Sequence, residues 1–210
     1  MRLFSNKLLF FLFLFLFSFS LYAEYKININ YESDFLYDSQ KLLVEELKKT
    51  NTKKEIEILI KQQEWIETYI LFFKPFKKEV YISILNKEPI FSLNNDYFFD
   101  KNLNKFEFDN TSKKFILVNG QIDNLSDVLK LIEIIEQKTS INYEINTINY
   151  SHVNGWDVNT DDTLIRFGKD LTVKKIDNFV NTSNYLFEIS RIPSIIDIRY
   201  KDGVALSYGK

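Results

Sequence analysis

His152 is the single histidine of this 210-residue chain, and no tight acidic cluster surrounds it in sequence, so it reads as a loop residue and not as a ligand or base. Asp161 and Asp162 suit a turn, because acid–base work by paired carboxylates needs a second positioned group and a pocket. No glycine-rich phosphate loop, serine nucleophile elbow or zinc-ligand spacing is present. Cysteine is absent, which removes a disulfide framework, a cysteine-ligated metal and a lipid-modified cysteine. The expectation is a protein that is not an enzyme and has no cofactor, metal or small-molecule substrate. What remains is recognition.

The segment with the most to offer a partner is Ser194 to Tyr208, which reads as a β-hairpin. Ile196, Ile198 and Tyr200 point to one side of a strand, Lys201-Asp202-Gly203 supplies a tight corner, and Val204, Leu206 and Tyr208 resume the period of two. With almost nothing after Tyr208, the last strand is expected at a sheet edge. It is then either an ordinary terminal strand paired inside its own sheet or a docking rail for another chain's strand.

Leu8 to Ala23 is a Phe/Leu run broken only by Ser18 and Ser20, with Arg2 and Lys7 before it. As a helix it spans roughly 24 Å, and Lys7, Tyr22 and Tyr25 at its ends suit membrane interfaces. It is read as a retained anchor, the competing reading being a secretory signal cleaved after Ala23. The positive-inside rule places the start in the cytoplasm and everything after Glu24 across the membrane. A net charge of -2 and a pI near 5.6, with no basic stripe, give no reason to expect nucleic acid.

Tyr25 to Tyr31 alternates and reads as a strand. Asp38 or Ser39 then caps a helix carrying Leu42, Leu43 and Leu47. Thr52 and Glu55 have capping-box spacing ahead of Ile56, Leu59 and Ile60. After Trp65 the period becomes two: Ile66, Thr68, Ile70 and Phe72 face one way, and beyond the Lys74-Pro75 turn Val80, Ile82 and Ile84 face inward. Further on, Asn124 caps a helix with Val128, Leu129, Ile132 and Ile135 on one face. Strands follow at Tyr143 to Tyr150, around Trp156, and at Thr163 to Gly168, and a helix starts near Thr172 with Ile176, Phe179 and Val180 buried. Trp65 and Trp156 read as core or hairpin-packing residues.

The order β-α-α-β-β, followed by Glu64-Trp65-Ile66, Lys74-Pro75, Glu88-Pro89, Phe98-Phe99-Asp100 with Lys105-Phe106, and finally Ile195-Ile-Asp-Ile-Arg-Tyr200 with Asp202-Gly203, resembles the FtsQ/DivIB family of bacterial cell-division proteins. The resemblance implies an α+β fold: a single N-terminal transmembrane helix, a small β-α-α-β-β POTRA domain, then a mainly antiparallel β domain with two helices. The corresponding bounds are a cytoplasmic tail over 1–7, the helix over 8–23, POTRA over 25–87 and the β domain over 88–210. It further implies a bitopic inner-membrane divisome scaffold, its later domains periplasmic at the septum, holding FtsB/FtsL-like bitopic coiled-coil partners by strand addition to its C-terminal edge. Carried across by position, Arg199 meets an acidic side chain and Tyr200 and Tyr208 are aromatic anchors. Asp202 and Gly203 form the turn, Val204 and Leu206 offer backbone groups, and Arg191 lies at the rim. The runner-up is a secreted or anchored periplasmic POTRA-type binding or chaperone module.

Overall fold

The computed structural model describes residues 25–33, 37–107, 114–201 and 203–209. They form two compact units that divide between Lys87 and Glu88.

In the first unit β1 (Lys26–Tyr31) is followed by α1 (Ser39–Lys48), α2 (Lys53–Lys61), β2 (Ile66–Lys74), a 3₁₀ turn (Pro75–Lys77) and β3 (Glu79–Asn86). The sheet order is β1-β3-β2, with β1 parallel to β3 and β2 antiparallel to it. Thr52 and Glu55 close a capping box: the threonine hydroxyl accepts from the Glu55 N–H, and the glutamate accepts from the Thr52 N–H. That cap starts α2 so that Ile56 and Ile60 reach Leu43 and Leu47 of α1 and Val80, Ile82 and Ile84 of β3 in one buried layer. Asp38 makes no side-chain cap at α1. The face of β2 also differs from the simple alternation. A register shift between Ile66 and Thr68 reverses the parity, so Leu71 and Phe73 pair with Ile82 and Val80 while Ile70 and Phe72 turn to the open face, 67% and 58% exposed.

The second unit runs β4 (Phe91–Leu93), β5 (Tyr97–Phe99), β6 (Lys105–Phe106), β7 (Ile116–Asn119), α3 (Ser126–Gln137), β8 (Ile145–Ser151), β9 (Gly155–Thr160), β10 (Leu164–Gly168), α4 (Val173–Glu188), β11 (Ile195–Asp197) and β12 (Ala205–Ser207). Its nine-stranded sheet has the order β12-β11-β10-β9-β8-β7-β4-β5-β6. Helix α3 connects the parallel neighbours β7 and β8, and α4 connects the parallel neighbours β10 and β11, as crossovers of parallel strands require. Together with β4–β7 this gives a mixed sheet with three parallel pairings. A cross-strand row of Val118, Ile148, Val158, Ile165 and Ile196, each fully buried, carries Leu131, Ile135, Phe179 and Leu186 of the two helices. At roughly 1.5–3 kcal/mol per buried aliphatic side chain, this row holds the unit together, and it ends at Ile196 of β11.

The expected fold class needs one correction. Among the described residues no helix is long and apolar enough to cross a membrane. The expected anchor at 8–23 and tail at 1–7 lie outside the described residues. Among the described residues the architecture is α+β with four helices and two sheets, and the single-pass inner-membrane placement built on the anchor is set aside.

Gly155 opens β9 with φ +77°, and a Cβ there would sit 2.0 Å from the carbonyl carbon of Gly168. Gly155→Ala is therefore expected to cost at least about 3 kcal/mol in urea unfolding, from backbone strain and a clash that no side-chain movement relieves.

Candidate partner-docking edge

Strand β11 divides its backbone groups by parity. The Leu164 N–H donates to Ser194 O (2.9 Å) and the Ile198 N–H to Arg166 O (2.8 Å), so even-numbered residues of this segment face β10. Ile195 and Asp197 must then spend their N–H and C=O on Ser207 and Ala205, the residues directly opposite in β12. Leu206, opposite Ile196, is left with its N–H and C=O directed away from β11. Among the described residues β12 is the outermost strand, so these groups lie on an open edge.

Side chains follow the same register. Leu206 shares the helix-facing side with the buried Ile196 and is 37% exposed, while Ala205 and Ser207 lie on the opposite, open face. Beside Leu206 runs a groove of about 440 Å³ between β12 and α4, lined by Asn178, Asn181, Thr182, Tyr185, Val204 and Leu206. The α4 residues fall at i, i+3, i+4 and i+7, one stripe of the helix. That stripe is the part of the site the sequence reading missed, because its polar composition looks like an ordinary solvated face.

Helix α4 begins at Thr172, whose hydroxyl accepts from the Lys175 N–H. It ends in a Schellman turn: Ser190 takes φ 51°, its N–H donates to Phe187 O, and the Arg191 N–H donates to Leu186 O, both at 3.0 Å. This exit brings the Arg191 guanidinium 5.9 Å from the centre of the Tyr208 ring. Arg191 and Tyr208 thus meet at one end of the edge, with Val204 and Leu206 along it and Tyr185 across the groove.

The expected tight hairpin takes another form. Strand β11 stops at Asp197 and β12 starts at Ala205, so residues 198–204 form a seven-residue connection. The cause is Arg199, which does not wait for a partner. Its backbone N–H donates to Asp197 Oδ1 at 3.1 Å, its Nε to Oδ1 at 2.9 Å, and a terminal guanidinium nitrogen to Oδ2 at 2.5 Å. This local fork turns the chain off the strand path, so Tyr200 stands 56% exposed in the connection and not on a strand. Gly203 is exposed and helps to line the groove beside Leu206, with nothing within 4 Å of an added Cβ, and Asp202 lies outside the described residues.

Asp157, Arg166 and Asp197 lie directly opposite one another on the open face of β9, β10 and β11. Hydrogen bonding to Arg199 holds the Asp197 carboxyl below its ordinary range. Burial pushes the Asp157 carboxyl up against the opposing pull of Arg166 and Arg199, and its Oδ1 is enclosed without a hydrogen-bond partner. Nothing in this row brings a nucleophile or a second free base together with Asp157. His152 sits at the β8–β9 hairpin with its ring edge-on to Tyr150, and Asp161 accepts from the Asn146 amide at 2.7 Å. Trp65 and Trp156 are both buried. Compared with protein-family models and with curated proteins, the chain matches none.

A depressed folded-state pKa stabilises the protein above the ordinary carboxylate value of ~3.9 and loses that contribution as pH falls through the folded value. Because the arginine side chain is 38% exposed and screened by solvent, Arg199→Gln is expected to cost about 1 kcal/mol at pH 7, with the difference from the parent shrinking toward pH 3 in paired denaturation curves. A gap that stayed constant with pH would show that the charge on Asp197 is not what the arginine serves.

Proposed function

We propose that this chain is a non-enzymatic scaffold of the cell-division type, which captures an extended segment of an FtsB/FtsL-like coiled-coil division protein as a new strand beside β12. The single observation that carries the reading is the open edge at Leu206, whose backbone groups face away from β11. The resemblance of Ile195 to Tyr200 and its neighbours to the FtsQ/DivIB pattern supplies the kind of partner.

Magnitudes say how such a rail works. The two backbone hydrogen bonds that Leu206 can make contribute about 1 kcal/mol each, well short of the roughly 8 kcal/mol of a micromolar complex. The remainder has to come from apolar burial along the edge, where Leu206 and Tyr185 in the groove are 37% and 58% exposed and Tyr208 at its end is 52% exposed. Val204 to Tyr208 carries no charge and no proline, so the edge lacks the residues that usually block strand addition. Arg199 acts in this reading through Asp197, by shaping the connection, and Tyr200 by its exposed ring.

Leu206→Pro removes the outward N–H while leaving the β11 bonds of Ala205 and Ser207 in place, and Leu206→Ala keeps the N–H while trimming the side chain. Both are expected to unfold within about 1 kcal/mol of the parent, given how exposed the strand is. Capture of the host's FtsB-like protein by purified full-length chain should fall at least tenfold for Leu206→Pro and less for Leu206→Ala, with Tyr185→Ala and Tyr200→Ala in between. Depletion in the host should give cells that elongate without dividing. Unchanged capture by Leu206→Pro contradicts strand addition, and normal division on depletion contradicts the cellular role.

A further inference from the structure

The turn between β2 and β3 displays a ring with no cover at all: Phe76 is fully exposed, 103% of its reference area. Around it the first unit gathers positive charge. Lys74, Lys77 and Lys78 flank the ring in sequence, and the Lys26 N–H donates to Lys78 O at 2.9 Å, which fixes the start of β1 against the turn. Lys53, at the first turn of α2, places its Nζ 4.8 Å from the centre of the Phe73 ring, and Lys74 places its own 4.4 Å from that of Tyr81. The carboxylates at this end are Glu79, which accepts from the Tyr81 hydroxyl at 3.1 Å, Glu57, 3.9 Å from Lys53 Nζ, and Glu55, which is engaged in the α2 capping box. Five lysines thus face three glutamates on a chain whose overall charge is -2.

We propose that this turn docks on an anionic lipid surface, with Phe76 entering the interface and Lys26, Lys53, Lys74, Lys77 and Lys78 meeting the headgroups. The contact lies on the membrane and does not span it. Two features favour lipid over a protein partner. Phe76 is exposed over its whole reference area, so the ring stands clear of its own unit, and it is not among the residues that line the shallow depression at Asn28, Asn30, Ile70, Phe72, Tyr81 and Ser83. A protein would have to bring a fitted pocket to such a ring, whereas an acyl boundary accepts it without one. Lysine stems can also lie along that boundary while their ammonium groups stay at the headgroups. The inference is independent of the β12 edge.

The test uses the full-length chain with a reporter at the tip. Phe76→Trp is mixed with phosphatidylglycerol/phosphatidylcholine vesicles whose acyl chains carry bromine, and tryptophan quenching is compared with that of the parent, whose Trp65 and Trp156 are each only 4% exposed. Quenching at position 76 is expected at low salt and is expected to be lost in pure phosphatidylcholine or at 1 M salt, where charges are screened beyond ~3 Å. Replacing Lys74 or Lys77 by Gln in the same background should weaken the salt-sensitive contact about five-fold each. A tryptophan at 76 that acrylamide quenches but brominated lipid does not would overturn the proposal in favour of an acidic protein partner. Equal lipid quenching with and without phosphatidylglycerol would overturn it as well, since the lysines would then have no part in the contact.

Discussion

A strand has only two edges, and β11 commits its even-numbered backbone groups to β10, leaving the odd-numbered ones for β12. Everything distinctive about the outer strand follows from that parity. Ser207 and Ala205 are held inward, Leu206 is turned outward, and the side chain of Leu206 is sent to the helix side, where α4 supplies the far wall of a groove. A shift of one residue in β11 would reverse all three assignments, placing Leu206 on the polar open face and hiding its N–H. The fully buried row ending at Ile196 is what prevents that slip.

The charged side chains near the edge are subordinate to this arrangement. Asp197 and Arg199 satisfy one another, which fixes where β11 ends and how the connection to β12 leaves the sheet. Arg191 is directed by the Schellman turn that ends α4, a left-handed serine standing where glycine is usual. Arg199 is thus already paired with a carboxylate, whereas the exposed Arg191 lies over the Tyr208 ring at 5.9 Å. Recognition at this edge is accordingly a matter of backbone pairing and ring burial more than of ion pairing.

What could be read from the sequence was whatever local spacing decides. The Thr52–Glu55 capping box, the start of a helix near Thr172, the buried stripe of Ile56 and Ile60 and the β9–β10 hairpin each depend on residues within a few positions of one another. Three features resisted. The faces of Ile70 and Phe72 hinge on one register shift near Glu67, which alternation alone does not reveal. The length of the β11–β12 connection depends on a side-chain fork from Arg199 that competes with strand continuation. The groove wall of Asn178, Asn181, Thr182 and Tyr185 becomes a site only when α4 lies beside β12, a neighbour relation set by the crossover. The Phe/Leu run at 8–23 was the boldest compositional signal, and it falls outside the described residues.

Residue-resolved amide exchange along β12, with and without the FtsB-like protein, tests this parity most directly. In the free protein the amides of Ala205 and Ser207 should exchange slowly and that of Leu206 quickly, and adding the partner should slow Leu206 selectively. A Leu206 amide already protected in the free protein, or one that the bound partner leaves unprotected, would contradict the account.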